Sequence, residues 1–210
     1  MIRHLSKLPF TPKNVLDIGA NIGGFTKECR KFWPLADYYL IEGNEICEPA
    51  LRYMNEHYYI ELLGDMDGRE VTFYKTTVSQ ICTGNSIYRE LTPAYDDDKL
   101  IKETRKLITL DTLFKNNDIV FDFAKLDTQG SELDIMRGGV KTLLSCKYIL
   151  LEVSLKQYNA NIPLKDEVVD YMMGIGYKKH EIIEQHIWLS ESLPHIRHGD
   201  VFQEDIIFER

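Results

Sequence analysis

The amino-acid sequence predicts an α/β fold, with a doubly wound, mainly parallel, Rossmann-like sheet of seven strands closed by a C-terminal antiparallel pair. Three observations carry this expectation. Short β-type runs alternate with helical patterns, the signature of βαβ units. Lys147-Tyr-Ile-Leu-Leu-Glu-Val153 is nearly all apolar, as a strand covered on both faces must be. The last third of the chain instead reads as two alternating strands around a turn rich in Pro, His and Gly.

Taken in order, Asn14-Val-Leu-Asp-Ile18 is a strand that stops at Gly19, followed by a helix over 22–33 and a second strand, Tyr38-Tyr-Leu-Ile-Glu42. Asn44 is placed to cap a helix over 45–56, and Tyr58–Leu63 is the third strand. Asp67-Gly68 signals a tight turn, across which Val71-Thr-Phe-Tyr-Lys75 is expected to pair back. Residues 77–105 are polar, carry Gly84, Pro93 and Asp96-Asp97-Asp98, and lack periodicity, so they are expected to form a substrate loop or lid. Lys106–Leu110 resumes regular structure ahead of a short helix from Asp111 to Asn116. Val120–Leu126 is a strand ending at Asp127, and the next helix lines up Leu133, Met136, Val140, Leu143 and Leu144. A helix over 164–175 follows, with Val168, Tyr171, Met172 and Ile175 on one side, and the final strands are Glu181–Leu189 and Val201–Phe208.

At 210 residues, with 44% hydrophobic and 28% charged residues, the chain suits one domain with a single substantial core. No apolar run approaches the ~20 residues that span a bilayer, and the start is too polar for a secretory leader, so a cytoplasmic location is expected. The net charge of −8 argues against nucleic acid as a partner, because such domains carry a basic stripe. Cys29, Cys47, Cys82 and Cys146 are scattered without metal-ligand spacing and are expected as buried thiols.

The strongest local signal is Val15-Leu-Asp-Ile-Gly-Ala-Asn-Ile-Gly-Gly-Phe-Thr26: a strand, a glycine-bearing turn and a helix start. Glycine lets a backbone approach a ligand closely, and a helix start offers free N–H groups. The spacing departs from the G-x-G-x-x-G of a dinucleotide cradle. Asp17 beside the turn suits a ligand with a cationic ammonium or sulfonium group, such as S-adenosylmethionine (SAM). Gly19, Ala20, Asn21 and Gly23 form the turn. Glu42 ends the second strand, where doubly wound nucleotide folds place an acid on ribose hydroxyls. Asp127 and Gln129 follow the fourth principal strand and should face the ligand crevice. Ser131 reads as an N-cap, and Glu132 either complements the helix dipole or serves the site. Glu152 interrupts an apolar strand, where a carboxylate is costly unless paired or turned into a polar cleft.

Together with Leu63-Gly-Asp-Met-Asp-Gly68, Gly84-Asn-Ser86, Thr109-Leu-Asp-Thr-Leu113, Lys125-Leu-Asp-Thr-Gln-Gly-Ser-Glu132 and Leu151-Glu-Val153, these residues resemble the FkbM-type SAM-dependent methyltransferases over about residues 14–155. The resemblance implies a class I methyltransferase fold and O-methylation of a small-molecule hydroxyl, often on a sugar. It places SAM on Asp17, Gly19, Asn21 and Glu42, with Asp65 toward the adenine. Glu42-Gly43-Asn44 departs from the family's usual Glu-Pro at this point. An alcohol acceptor loses its proton to a positioned base, for which Asp127 is the first candidate, then Glu132 or Glu152. His57, His180, His186, His195 and His198 are further candidates. No metal-ligand triplet is legible, and no metal is expected. The competing readings are a lipid or protein side chain as acceptor, or a SAM-binding module without turnover.

Overall fold

The computed structural model describes residues 2–79 and 83–210. The main sheet contains β1 (Asn14–Ile18), β2 (Asp37–Glu42), β3 (His57–Ile60), β6 (Phe123–Leu126), β7 (Tyr148–Ser154), β8 (Lys178–Ile187) and β9 (Val201–Glu209). A separate antiparallel ribbon pairs β4 (Glu70–Thr76) with β5 (Leu100–Lys106). The helices are α1 (Ile2–Leu5), α2 (Gly24–Cys29), α3 (Glu48–Tyr53), α4 (Leu110–Leu113), α5 (Glu132–Gly138), α6 (Val140–Leu143) and α7 (Lys165–Gly174). The seven strands run in the order β3-β2-β1-β6-β7-β9-β8. The first five are parallel, and β9 is antiparallel to both β7 and β8. This is the expected doubly wound sheet with its antiparallel pair.

Helices cover both faces, and the two-residue period of the strands sorts side chains between two cores. Leu16 and Ile18 of β1, Ala124 and Leu126 of β6, and Ile149 and Leu151 of β7 pack with α4 to α7 through Leu110, Leu133, Met136, Leu143 and Met172. Val15, Phe123 and Leu150 point the other way, against Leu5 of α1, Cys29 of α2 and Leu51 of α3. By the same alternation Asp17 and Lys125 face the second layer, and the β1–β6 register sets them directly side by side. Both sheet edges are blunted against further pairing: β3 has four residues, and β8 carries three irregularities in its ladder.

Several local expectations are corrected. Gly68 does turn the chain, at φ +74°, but its N–H donates to the Leu107 carbonyl. The strand after it therefore pairs with β5 and does not return onto β3. The strand Leu100–Lys106 thus takes up the last six residues of the stretch expected as a loop. Its solvated Leu-Ile-Lys-Glu-Thr-Arg-Lys sequence hides the apolar alternation that would reveal it. The helix expected over 22–33 starts only at Gly24, because Gly23 is left-handed (φ +78°), where a Cβ would meet Met54 Sδ at 1.9 Å. The helix expected over 45–56 opens as a 3-10 turn, Glu45–Cys47, capped by Asn44. The helix after Asp127 breaks at Gly139 into α5 and α6, with Gly138 pressed on the Gly64 carbonyl. Cys29, Cys47 and Cys146 are buried free thiols; Cys82 lies outside the described residues.

Candidate functional site

In an open α/β sheet the ligand crevice forms beyond the carboxyl ends of the strands, at the point where the strand order reverses. Here that point lies between β1 and β6. The turn leaving β1 is built for close approach. Gly19 adopts φ +74°, and a Cβ there would lie 1.9 Å from the Asp127 carbonyl oxygen. The Gly19 and Ala20 N–H groups both donate to the Ile41 carbonyl, tying the turn to β2. Asn21 is also left-handed (φ +49°) and donates its N–H to Glu42 Oε2 at 2.8 Å. The Asn44 N–H donates to Glu42 Oε1 at 2.8 Å. Glu42 is therefore oriented through both oxygens, each of which keeps acceptor capacity toward the cleft. Burial pushes its pKa up, against the pull of the Asn44 and Asn21 amides.

Beneath the turn lies a buried charge cluster. Asp17 is fully buried; its Oδ2 accepts from Thr26 Oγ1 at 2.7 Å, and its Oδ1 lies 3.7 Å from Lys125 Nζ. The same ammonium reaches Asp127 Oδ2 at 3.1 Å and donates to the Gly19 carbonyl at 3.1 Å. Burial opposes its charge, but Asp127 and Asp17 outweigh that and hold Lys125 firmly protonated. Burial also pushes the Asp17 carboxyl up, more than Lys125 and Thr26 pull it down. For Asp127 the balance reverses: burial raises its pKa, but Lys125 and the Gln129 amide overcome this and leave it below the ordinary aspartate value.

Gln129, left-handed at φ +57°, links Asp127 to the next strand. Its Nε2 donates to Asp127 Oδ1 at 3.2 Å and to Glu152 Oε2 at 2.9 Å. Burial, then the charges of Asp127, Glu132 and Asp205, drive Glu152 well above the ordinary glutamate value. Glu132 turns inward. It accepts from the Thr128 N–H at 2.6 Å and the Gly130 N–H at 3.0 Å, and so holds the turn that presents Asp127 and Gln129. Ser131 stands at the N-cap position without a capping bond; its Oγ donates to the Thr128 carbonyl.

The resulting cleft is open to solvent, with about 670 Å³ of space counted out through its mouth. Gly19, Asn21, Glu42, Asp127 and Gln129 line it, beside an apolar slot of Ile41, Leu62, Leu63, Phe73, Ile87 and Ile135. Thr83, Asn85 and Ser86, from the stretch expected as a substrate loop, form part of its wall. Asp17, Ala20, Gly23, Glu132, Glu152 and Asp65 are not among the residues that line the cleft, and Asp65 pairs with Arg69 at 3.2 Å. Lys125, which sequence reasoning gave no role, holds Asp17 and Asp127 together. A lysine in the otherwise apolar run Phe123-Ala-Lys-Leu126 was its available signal, and the structure buries all four residues. The structure also brings His186 to Asp205 and Glu152, three residues from three strands that no sequence spacing announces. Among the other histidines, His57 stacks on Tyr39 and His195 bonds the Gln157 carbonyl.

The strand order, the cleft at its reversal point and the acid closing β2 define the class I methyltransferase fold. Three solved structures share it, each matched over 100% of this chain. An O-methyltransferase family protein from Burkholderia thailandensis has a TM-score of 0.53 at 8% identity, with 55% of its own chain covered. A candidate RNA methyltransferase from Pyrococcus horikoshii reaches 0.52 at 8% identity and 81%. The plantazolicin methyltransferase BpumL, in complex with S-adenosylhomocysteine (SAH), reaches 0.50 at 11% identity and 80%. No curated protein matches the chain in sequence. The methyltransferase FkbM domain matches residues 17–179, and the chain belongs to that family. Among the described residues no helix is long and apolar enough to cross a membrane.

Proposed function

We propose that this methyltransferase transfers a methyl group from SAM to a hydroxyl of a small, polar acceptor such as a saccharide, with Asp127 receiving the proton. The observation that carries this reading is the ionised Asp127 on the cleft wall, between the Lys125 ammonium and the Gln129 amide. The cleft fits the cofactor: the Gly19 and Asn21 turn lines it without side-chain bulk at Gly19, and Glu42 offers oriented acceptors for a pair of vicinal hydroxyls. The apolar slot of Leu62, Leu63 and Phe73 suits a flat heteroaromatic base. SAM supplies an activated methyl group on a sulfonium.

The chain's own residues supply position and a proton acceptor. Alignment of the acceptor accounts for much of the acceleration in an in-line displacement. Thr83, Asn85, Ser86 and Gln129 give the cleft hydrogen-bonding groups for a hydroxyl-rich molecule. The lowered pKa of Asp127 is no obstacle to its role, because an alkylated alcohol that still carries its proton is far more acidic than any carboxylic acid. Lys125 keeps Asp127 ionised, and Gln129 keeps its Oδ1 oriented.

The test combines calorimetric titration with SAM and SAH and a product screen over saccharides and other hydroxyl compounds. Asp127→Asn should retain SAM affinity within about threefold and lose at least about 100-fold in kcat, the low end for removing a general base. Full turnover by Asp127→Asn, or methylation confined to non-hydroxyl acceptors, would refute the proposal.

A further inference from the structure

Next to the cleft, on β7, β9 and β8, the side chains of Glu152, Asp205 and His186 converge, each offering one ligand atom within 4.8 Å of the others. We propose that these three residues bind a divalent transition-metal ion of the Mn2+ or Zn2+ type.

Strand pairing builds the cluster. Glu152 and Asp205 are register partners across the β7–β9 ladder, so their side chains share a face, and His186 lies one step along the β8–β9 ladder, opposite Gln203. His186 Nε2 is 3.2 Å from Asp205 Oδ2 and 3.9 Å from Glu152 Oε1. Bond lengths of about 2.0–2.2 Å to a shared ion put its ligand atoms about 2.9–3.6 Å apart at ordinary coordination angles. Of the three separations, His186 to Asp205 already lies in that range, His186 to Glu152 needs a few tenths of an ångström, and Glu152 to Asp205, within 4.8 Å, closes by side-chain rotation.

The surroundings match a metal site. Gln129 and Gln203 both donate to Glu152 Oε2, at 2.9 and 2.8 Å, which leaves Oε1 facing the imidazole. A ligating carboxylate held by such outer hydrogen bonds is a regular feature of metal centres. Charge points the same way. Asp205 is 2% exposed and the Glu152 side chain 11%, Asp127 stands nearby, and Lys125 is already engaged by Asp17 and Asp127. Buried carboxylates are stable when paired or bound to a metal. A dication with a neutral imidazole balances the Glu152 and Asp205 charges. His186, 32% exposed at its side chain, leaves the ion a route in. The mixed nitrogen and oxygen set favours Mn2+ or Zn2+ over Mg2+ and Ca2+, which prefer oxygen alone.

The experiment is titration of chelator-treated full-length protein with Mn2+, followed by loss of the free-ion paramagnetic resonance signal, with Zn2+ added as a competitor. We expect one Mn2+ per chain, displaced by Zn2+, and at least tenfold weaker binding in His186→Ala and in Asp205→Asn. SAM titration of both variants serves as the folding control, since neither residue lines the cleft. Less than half an equivalent of Mn2+ bound by the wild-type protein at 1 mM would overturn the site. So would unchanged Mn2+ affinity in His186→Ala that still binds SAM. If Asp205→Asn fails the folding control, His186→Ala alone decides.

Discussion

Replacing Lys125 by methionine removes the ammonium that touches both Asp17 and Asp127, while keeping a side chain of similar length. Asp17 bears most of the consequence: it is fully buried, its Oδ1 makes no hydrogen bond, and its carboxyl is already pushed up by burial. The Asp127 side chain is 32% exposed, so solvent softens its loss. Breaking a buried pair from one side typically costs about 3–5 kcal/mol, because the remaining charge is left uncompensated. With a urea m-value of about 2–3 kcal/mol/M, that lowers the unfolding midpoint by roughly 1–2.5 M. Without Lys125 the folded-state pKa of Asp17 rises further above its unfolded value. Such a group adds stability below the unfolded pKa and loses it as pH rises through the folded one, so the variant's deficit should shrink on acidification. Urea melts at several pH values, on Lys125→Met and on Lys125→Met with Asp17→Asn, provide the assay. The double variant should recover at least about 1 kcal/mol of the loss, the order of removing an unsatisfied buried group. A cost below about 1 kcal/mol for Lys125→Met, or no recovery in the double variant, would show that the buried pair does not organise the β1–β6 junction.

Two further perturbations address the cleft itself. Gly19→Ala should destabilise the fold by about 2–5 kcal/mol, combining the left-handed backbone with overpacking against the Asp127 carbonyl, and should weaken SAM binding in calorimetry. Glu42 has a folded pKa raised above 4.5, so its carboxylate protonates earlier on acidification than an ordinary glutamate. SAM affinity should therefore begin to fall at a pH above 4.5 and keep falling as pH drops; Glu42→Gln should bind weakly with no such dependence, and an identical pH profile in the two would contradict the ribose role.

Much of the architecture was legible because burial leaves a period in the sequence. The runs at 14–18, 38–42 and 147–153 are apolar on both faces and appear as strands, and the Val168–Met172 stripe appears as a helix. The Val71–Lys75 strand was legible too, but its partner β5 was not, since a two-stranded, largely solvated ribbon imposes no apolar alternation on it. The helix boundaries at Gly23 and Gly139 were also hidden: each glycine sits where a Cβ would meet a residue distant in the chain, Met54 in one case and Leu110 in the other.

The sequence by itself determined the fold class, the glycine turn after β1 and the acids at the strand ends, because turn chemistry and strand periodicity are local. Only the tertiary structure decided what each acid does. Strand register set Asp17 beside Lys125, two backbone amides claimed Glu132 for its turn, and antiparallel pairing brought Glu152 to Asp205 and His186. Residues far apart in the chain share an electrostatic environment only once the sheet has formed, and it is that environment which holds Asp127 below the ordinary aspartate value and drives Glu152 above the ordinary glutamate one.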